Sequence, residues 1–287
     1  MSIARILVPI RGDGKGENIL AHAAALARRH NAHITAIHCR ARPRDMIPYG
    51  VVVPGPLRRQ IEEQAIELAD AEERRLKELF LEAVRDLGLA LSDDGVPPRD
   101  RPTASWHEEQ GKQADIIKSF GRLTDLVAVA KPDRDRNLGV NSLKAALFNT
   151  GRPVLLCPPA EARPEALGAR LAIAWNGSMQ AARAVALTLP LLQEAEDVLV
   201  LDGGIAPRGA TGEDLLTYLA IRGVEARREA LETDDNAGPA LLDGARSAGA
   251  DTLIMGAYSH SREHETIFGG TTQHVVDKGA IPVIMVH

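Results

Sequence analysis

The sequence predicts an α/β protein built from two tandem units, each with five mainly parallel strands. Three observations predict it. Short apolar runs of strand length alternate with helical segments along the whole chain, the pattern of βαβ units. Three segments recur in the same order. Ala4–Gly12 matches Ala169–Gly177, Asp125–Val129 matches Asp251–Met255, and Arg152–Leu156 matches Ile281–Met285. Finally, aromatics make up only 3% of the chain, so the cores must be built from Ala, Leu, Val and Ile. Gly12 and Gly177 lie 165 residues apart and Pro153 and Pro282 lie 129 apart, so the first half carries 36 extra residues internally. They fall around Arg44–Arg101, a Pro-rich loop and a long charged helix.

Element by element, the first half reads as strand Ile6–Ile10, helix Glu17–His30, strand His33–Cys39 and a long helix Leu57–Leu87. It continues with strand Thr103–Glu108, helix Lys112–Leu123, strand Leu126–Ala130, helix Ser142–Asn149 and strand Val154–Cys157. The second half reads Leu171–Trp175, Gln180–Leu192, Val198–Leu201, Glu213–Gly223 and Glu225–Ala230. Ala240–Ala248, Thr252–Met255, Thr271–Lys278 and Val283–Val286 complete it. Pro158–Pro164 is a stiff linker. Domain boundaries of 1–158 and 169–287 follow. On the long helix, Ile61, Ala65, Leu68, Leu76, Leu79 and Ala83 form an apolar stripe expected to cover one sheet face, with a partner-binding helix as the alternative. Met46–Pro56 would be a flap.

Charge and composition exclude several classes. The net charge is −5 without a strong basic patch, which argues against nucleic acid as a partner. Cys39 and Cys157 sit in strand-like apolar runs and read as core residues of a reduced compartment. The N-terminus lacks the charged-then-apolar build of a signal peptide, and no apolar run approaches the roughly 20 residues of a membrane span. The expected location is the cytoplasm, with no membrane contact.

The chemistry-bearing stretch is the last third. Strand Asp251–Met255 runs into Gly256-Ala-Tyr-Ser259, then nine residues, then Gly269-Gly270-Thr271-Thr272. Glycines at a strand exit and at a helix start let the backbone approach a phosphate, and the helix N-terminus supplies N–H donors. No Walker P-loop or dinucleotide GxGxxG motif occurs, and Gly12–Gly16 reads as a turn. Asn176, Gly177 and Ser178 read as a turn and helix cap, as does Asn141-Ser142. His260 and His264 have chelating spacing, but a non-metal role near a phosphate fits a loop better. No set of nucleophile, base and orienting group emerges.

These motifs, occurring twice, resemble the universal stress protein superfamily over nearly the whole chain, as a tandem member. The opening Ile6-Leu-Val-Pro, the turn Trp175-Asn-Gly-Ser178 and the closing Pro-Val pairs carry the resemblance together with the glycine loop. It implies flavodoxin-like or adenine nucleotide α-hydrolase-like sandwiches, paired within the chain through the last strands Val154–Cys157 and Val283–Val286. A homodimer of whole chains is a further possibility of the family. It also implies ATP, with Mg2+ as its companion, held in the C-terminal domain. Trp175, Asn176 and Gly177 would meet the adenosine, and Val200 to Asp202 would line the adenine pocket. Met255, Gly256, Ser259, Gly269, Gly270, Thr271 and Thr272 would form the phosphate loop.

The chain departs from the family pattern at several of these places. Asn176 stands where an Asp is usual, Ser259 replaces a Gly, and Gly270 replaces a Ser or Thr. Thr271 or Thr272 would have to supply the missing hydroxyl. In the first half Arg11 replaces the Asp, Lys131 replaces the Gly, and Pro132 lacks an N–H, so no ATP is expected there. Three functions stay open. The first is a stress-response protein using ATP as a signal or stability cofactor. The second is a scaffold or binder of another small anion, and the third a slow ATP hydrolase, for which no catalytic base is visible.

Overall fold

A computed structural model describes residues 3–40, 42, 54–92, 96–136, 138–160, 163–203, 209–232, 236–258 and 270–287. The apolar runs pair as parallel strands because both of their faces can be buried under helices. In chain order the first half contains β1 (Arg5–Ile10), α1 (Gly16–His30), β2 (His33–Arg40), α2 (Gly55–Asp86), β3 (Ala90–Leu91) and β4 (Thr103–Gln110). It continues with α3 (Gln113–Gly121), β5 (Leu126–Ala130), α4 (Val140–Asn149) and β6 (Val154–Cys157). The second half contains β7 (Arg170–Trp175), α5 (Met179–Glu194), β8 (Asp197–Asp202), α6 (Gly212–Ala220) and β9 (Arg227–Ala230). α7 (Gly238–Ser247), β10 (Thr252–Gly256), α8 (Gly270–Lys278) and β11 (Val283–Val286) complete it.

All these strands join one 11-stranded sheet in the order β3-β4-β2-β1-β5-β6-β11-β10-β7-β8-β9. Read outward from the centre, β6-β5-β1-β2-β4 and β11-β10-β7-β8-β9 follow the same plan. The two halves meet where β6 and β11 run antiparallel, with Leu155 opposite Ile284 and Val154 opposite Met285. The pairing expected of the last strands is therefore present within the chain. The remaining neighbours are parallel, as in β1 with β2 and β7 with β8.

Helices cover both faces. Ile6, Val8 and Ile10 of β1 pack with α1, α2, α5 and α6 residues on one side. Leu7 of the same strand packs on the other side, in the cluster that holds α3, α4, α7 and α8 residues. One carboxylate sets the register at the same point of each half. Asp125 accepts from the N–H groups of Ala4 and Arg5 at 2.7 and 3.0 Å. Asp251 accepts from those of Gly168, Ala169 and Arg170 at 2.8, 2.9 and 2.8 Å.

The structure corrects the sequence reading at three places. β3 adds an edge strand beside β4, and two residues are too short to show a periodicity. The stripe on α2 is two faces. Ala65, Leu76 and Ala83 are buried together with Phe80 and Val84, whereas Ile61, Leu68 and Leu79 are 36%, 72% and 47% exposed. At about 100° per residue the exposed three share a face with Leu57, about a quarter turn from the buried one. The cap of α4 is Gly139, at φ +90°, and Ser142 is buried inside the helix. A bridge between Asp133 and Leu138 closes a short turn that delivers the chain to Gly139, so Asn141 is already helical. The flap expected at Met46–Pro56 lies outside the described residues except for its last three, Pro54 preceding the first turn of α2.

Candidate functional site

Ligands of open α/β sheets sit beyond the carboxyl ends of the strands, where the chain reverses its order about the first strand of the unit. In the second half that place is the exit of β7 and β10. β7 ends at Trp175, which is 5% exposed. Asn176 Oδ1 accepts from the Ser178 N–H at 3.1 Å, forming a tight Asx turn. Gly177 occupies φ +67° in that turn, and a Cβ there would lie 2.7 Å from the Ala210 carbonyl oxygen. Ser178 then caps α5 by accepting from the Ala181 N–H at 3.2 Å. The Trp175 indole donates to the same Ala210 carbonyl at 3.1 Å, so residues 209–211 close over this turn.

β10 delivers Gly256 against the start of α5. A Cβ on Gly256 would lie 2.5 Å from Ala181 N and 2.5 Å from Gln180 C. Beyond it, the Ala257 N–H reaches the Val286 carbonyl at 2.8 Å. Tyr258 takes a left-handed backbone, φ +59°, a conformation uncommon for a bulky residue. Its N–H donates to Thr272 Oγ1 at 3.3 Å, tying the exit of β10 to the first turn of α8. Its ring lies 5.4 Å from Phe148 of the first half, and Phe148 in turn lies 4.7 Å from His287. Burial, with the Asp277 carboxylate, pushes the Tyr258 phenol up to about 12.

The structure thus brings Asn176, Gly177 and Gly256 around the start of α5, and Gly270, Thr271 and Thr272 onto the first turn of α8. The side chains of Val200 and Met255 point into the core, at 0% and 3% exposure, so only their backbone can face a ligand. Ser259 and Gly269, with His260 and His264, lie outside the described residues. Thr272 is buried, its hydroxyl oxygen accepting from the Tyr258 N–H, whereas Thr271 is half-buried and so the better placed donor. At the end of β8 the sequence reading missed a charge pair. Asp202, 6% exposed, accepts from Arg228 Nε at 3.0 Å, and Arg228 also meets Glu213 at 3.0 Å. An acidic residue closing an apolar strand was visible in the sequence. Its partner, 26 residues on, was not.

The corresponding strand ends of the first half are crossed by the chain's own charged side chains. Arg11 pairs with Asp13 at 2.9 Å. The Glu72 carboxylate of α2 lies against Gly12 and is held by Arg75 at 2.7 Å. Lys15 Nζ donates to the Lys131 carbonyl at 3.2 Å. Lys131, in the place of Gly256, sends its own ammonium to the Gly279 carbonyl of the other half at 3.0 Å. Burial lowers the Lys131 pKa. Among the described residues no group of His, Cys, Asp and Glu could hold a metal ion. Nor is any described helix long and apolar enough to cross a membrane.

Fold and strand-end turns together define a doubly wound α/β protein whose crevice lies at the carboxyl edge of its sheet. Residues 168–287 match the model of the universal stress protein family. No curated protein matches the chain in sequence. Among solved structures, a universal stress protein from Archaeoglobus fulgidus is similar with TM-score 0.69 and 14% identity, over 98% of this chain and 95% of that one. A functionally unknown protein from Pseudomonas aeruginosa is similar with TM-score 0.58 and 15% identity, over 99% and 92%. At these identities the likeness is one of fold.

Proposed function

We propose that the chain is a tandem universal stress protein, with domains at 1–158 and 169–287, that binds an adenine nucleotide in its C-terminal domain. The nucleotide, ATP, acts there as a signal or as a stabilising cofactor. The observation that carries this reading is the tie between Tyr258 and Thr272. It sets the exit of β10 beside the start of α8, where helix-start N–H groups and the positive end of the dipole suit a phosphate. The backbone of Gly256, Gly270 and Thr271 would face the phosphates, with the segment containing Ser259 and Gly269 between them. Asn176 and the backbone after Val200 would face the adenosine. Mg2+ would arrive on the phosphates themselves.

A second reading is favoured by Ala210. Its carbonyl already takes the Trp175 indole and abuts Gly177, which narrows the adenosine side and suits a smaller anion. Mass spectrometry of the purified protein and thermal shift with ATP separate the two. Ligand at about 100 times its Kd stabilises by about 2.7 kcal/mol. Copurified nucleotide, or a Tm rise with ATP that Thr271→Asp removes, supports the first reading. Absence of both at millimolar ATP sinks it.

A further inference from the structure

A cavity of about 250 Å³ lies in the first half, between the end of β1, the first turn of α1 and the second half of α2. It is separate from the crevice around Gly256 and α8. Its floor is apolar. Ile10, Leu20, Leu76, Phe80 and Ala83 line it, each no more than 5% exposed. Leu79, 47% exposed, forms an apolar lip at the mouth. α2 takes the place that α6 holds in the second unit, and with 32 residues against 9 it builds a much longer wall.

The rim carries three guanidinium groups and three carboxylates, from Arg11, Arg75, Arg163, Glu17, Glu82 and Asp86. The guanidiniums are already matched. Arg11 meets Asp13 at 2.9 Å, Arg75 meets Glu72 at 2.7 Å, and Arg163 meets Glu17 and Asp86 at 2.5 and 3.4 Å. An anionic ligand would therefore find no unpaired guanidinium at this rim. It would have to break an existing pair or leave its own charge desolvated. An uncharged ligand loses nothing at this rim and gains apolar contact on the floor, including the face or edge of Phe80. Carboxylates that retain accepting capacity, such as Glu82 at the mouth, suit a single N–H or O–H donor on the ligand.

We propose that this cavity binds a small bicyclic aromatic molecule that carries no negative charge and bears one N–H or O–H donor. Size sets the two rings. An apolar cavity of about 150 Å³ holds one benzene ring, and this one is larger by roughly a second ring. Volume, apolar floor and a rim whose guanidiniums are already paired all point to the same class, and none of them depends on the nucleotide reading.

The test uses the full chain with indole as the probe, followed by saturation-transfer NMR and thermal shift. Indole is expected to give saturation transfer and a rise in Tm. Ala83→Leu, which fills the floor, and Leu79→Glu, which charges the exposed lip, should each weaken it by about tenfold or more. The Leu79 position is exposed, so that variant keeps the result readable if Ala83→Leu fails to fold. Excess ATP should leave the indole signal unchanged. A naphthalene sulfonate, of similar size but anionic, should bind no tighter than indole. The proposal is overturned if about 2 mM indole gives no signal, if both folded variants bind it as well as the wild type, if ATP displaces it, or if the sulfonate binds more than tenfold tighter.

Discussion

Gly256→Ala isolates the steric part of the strand-exit glycine from any role in ligand binding. The added Cβ would lie 2.5 Å from both Ala181 N and Gln180 C. Ordinary van der Waals contact is about 3.5–4 Å, so the first turn of α5 must retreat by roughly an ångström. Backbone atoms cannot rotate away as a flexible side chain would. The same movement opens the Ser178 cap, whose hydroxyl accepts from Ala181 N–H at 3.2 Å. Overpacking of this kind costs about 1–3 kcal/mol, and loss of a cap adds about 1 kcal/mol. The expected total is about 2–4 kcal/mol. At about 2–4 °C per kcal/mol for a chain of this size class, the Tm should fall by roughly 5–15 °C. Calorimetry and urea unfolding of the ligand-free protein measure it. If the variant unfolds within about 0.5 kcal/mol of the wild type, the steric argument is wrong. If it is destabilised as expected, lost nucleotide binding in such a variant says nothing about phosphate contacts, and Thr271 is the position to alter instead.

Asp251→Ala removes one carboxylate that accepts three backbone N–H groups. A loss of about 2–4 kcal/mol is expected by urea denaturation, given about 1.5–3 kcal/mol for a charged hydrogen bond and partial access to water. Phe148→Ala should cost about 1–3 kcal/mol, and a double-mutant cycle with Tyr258→Ala should show coupling of about 0.5–1.5 kcal/mol across the two halves. Burial lowers the pKa of His22 and of His30. Below about pH 6.5 the unfolded chain takes up protons that the folded chain refuses, so stability falls on acidification. Urea midpoints should drop between pH 7.5 and 5.5, and His30→Leu should flatten that slope. Burial holds the Cys39 thiol up at about 12 and Cys157 higher still. Neither should react with iodoacetamide at pH 8 until urea unfolds the protein, and rapid native labelling would contradict this.

Strands such as Ile6–Ile10 and Thr252–Met255 were legible in sequence because burial on both faces writes an uninterrupted apolar run. The antiparallel meeting of β6 and β11 followed from the repeat once the family resemblance was in hand. α2 was legible as a helix but not in its facing, because Leu57, Ile61, Leu68 and Leu79 keep helical spacing on an exposed side. At the site, Asn176, Gly177 and Ser178 announced their turn because the interactions are local. Gly256 and Thr272 also have structural partners that spacing did not show. Gly256 is required by the backbone of α5, and the Thr272 hydroxyl serves Tyr258; both partners are set by tertiary structure. The same is true of Glu72 over Gly12 and of Ala210 over Gly177, contacts that no spacing rule anticipates.

The antiparallel seam between β6 and β11 lies inside one chain, and that allows a broken symmetry. In a dimer of identical domains each contact across such a seam must occur twice. Here the loop after β10 sends Tyr258 to Phe148 of α4, a contact between rings. The loop after β5 sends Arg134 to Asp277 of α8, an ion pair at 2.9 Å. One side of the pseudo-dyad has become oily and the other salty. A substitution tuned to one loop is never imposed on its twin. Covalent linkage also holds the halves at a high effective concentration, so their union does not weaken on dilution. Each half is thereby free to change its own loops without altering the other's.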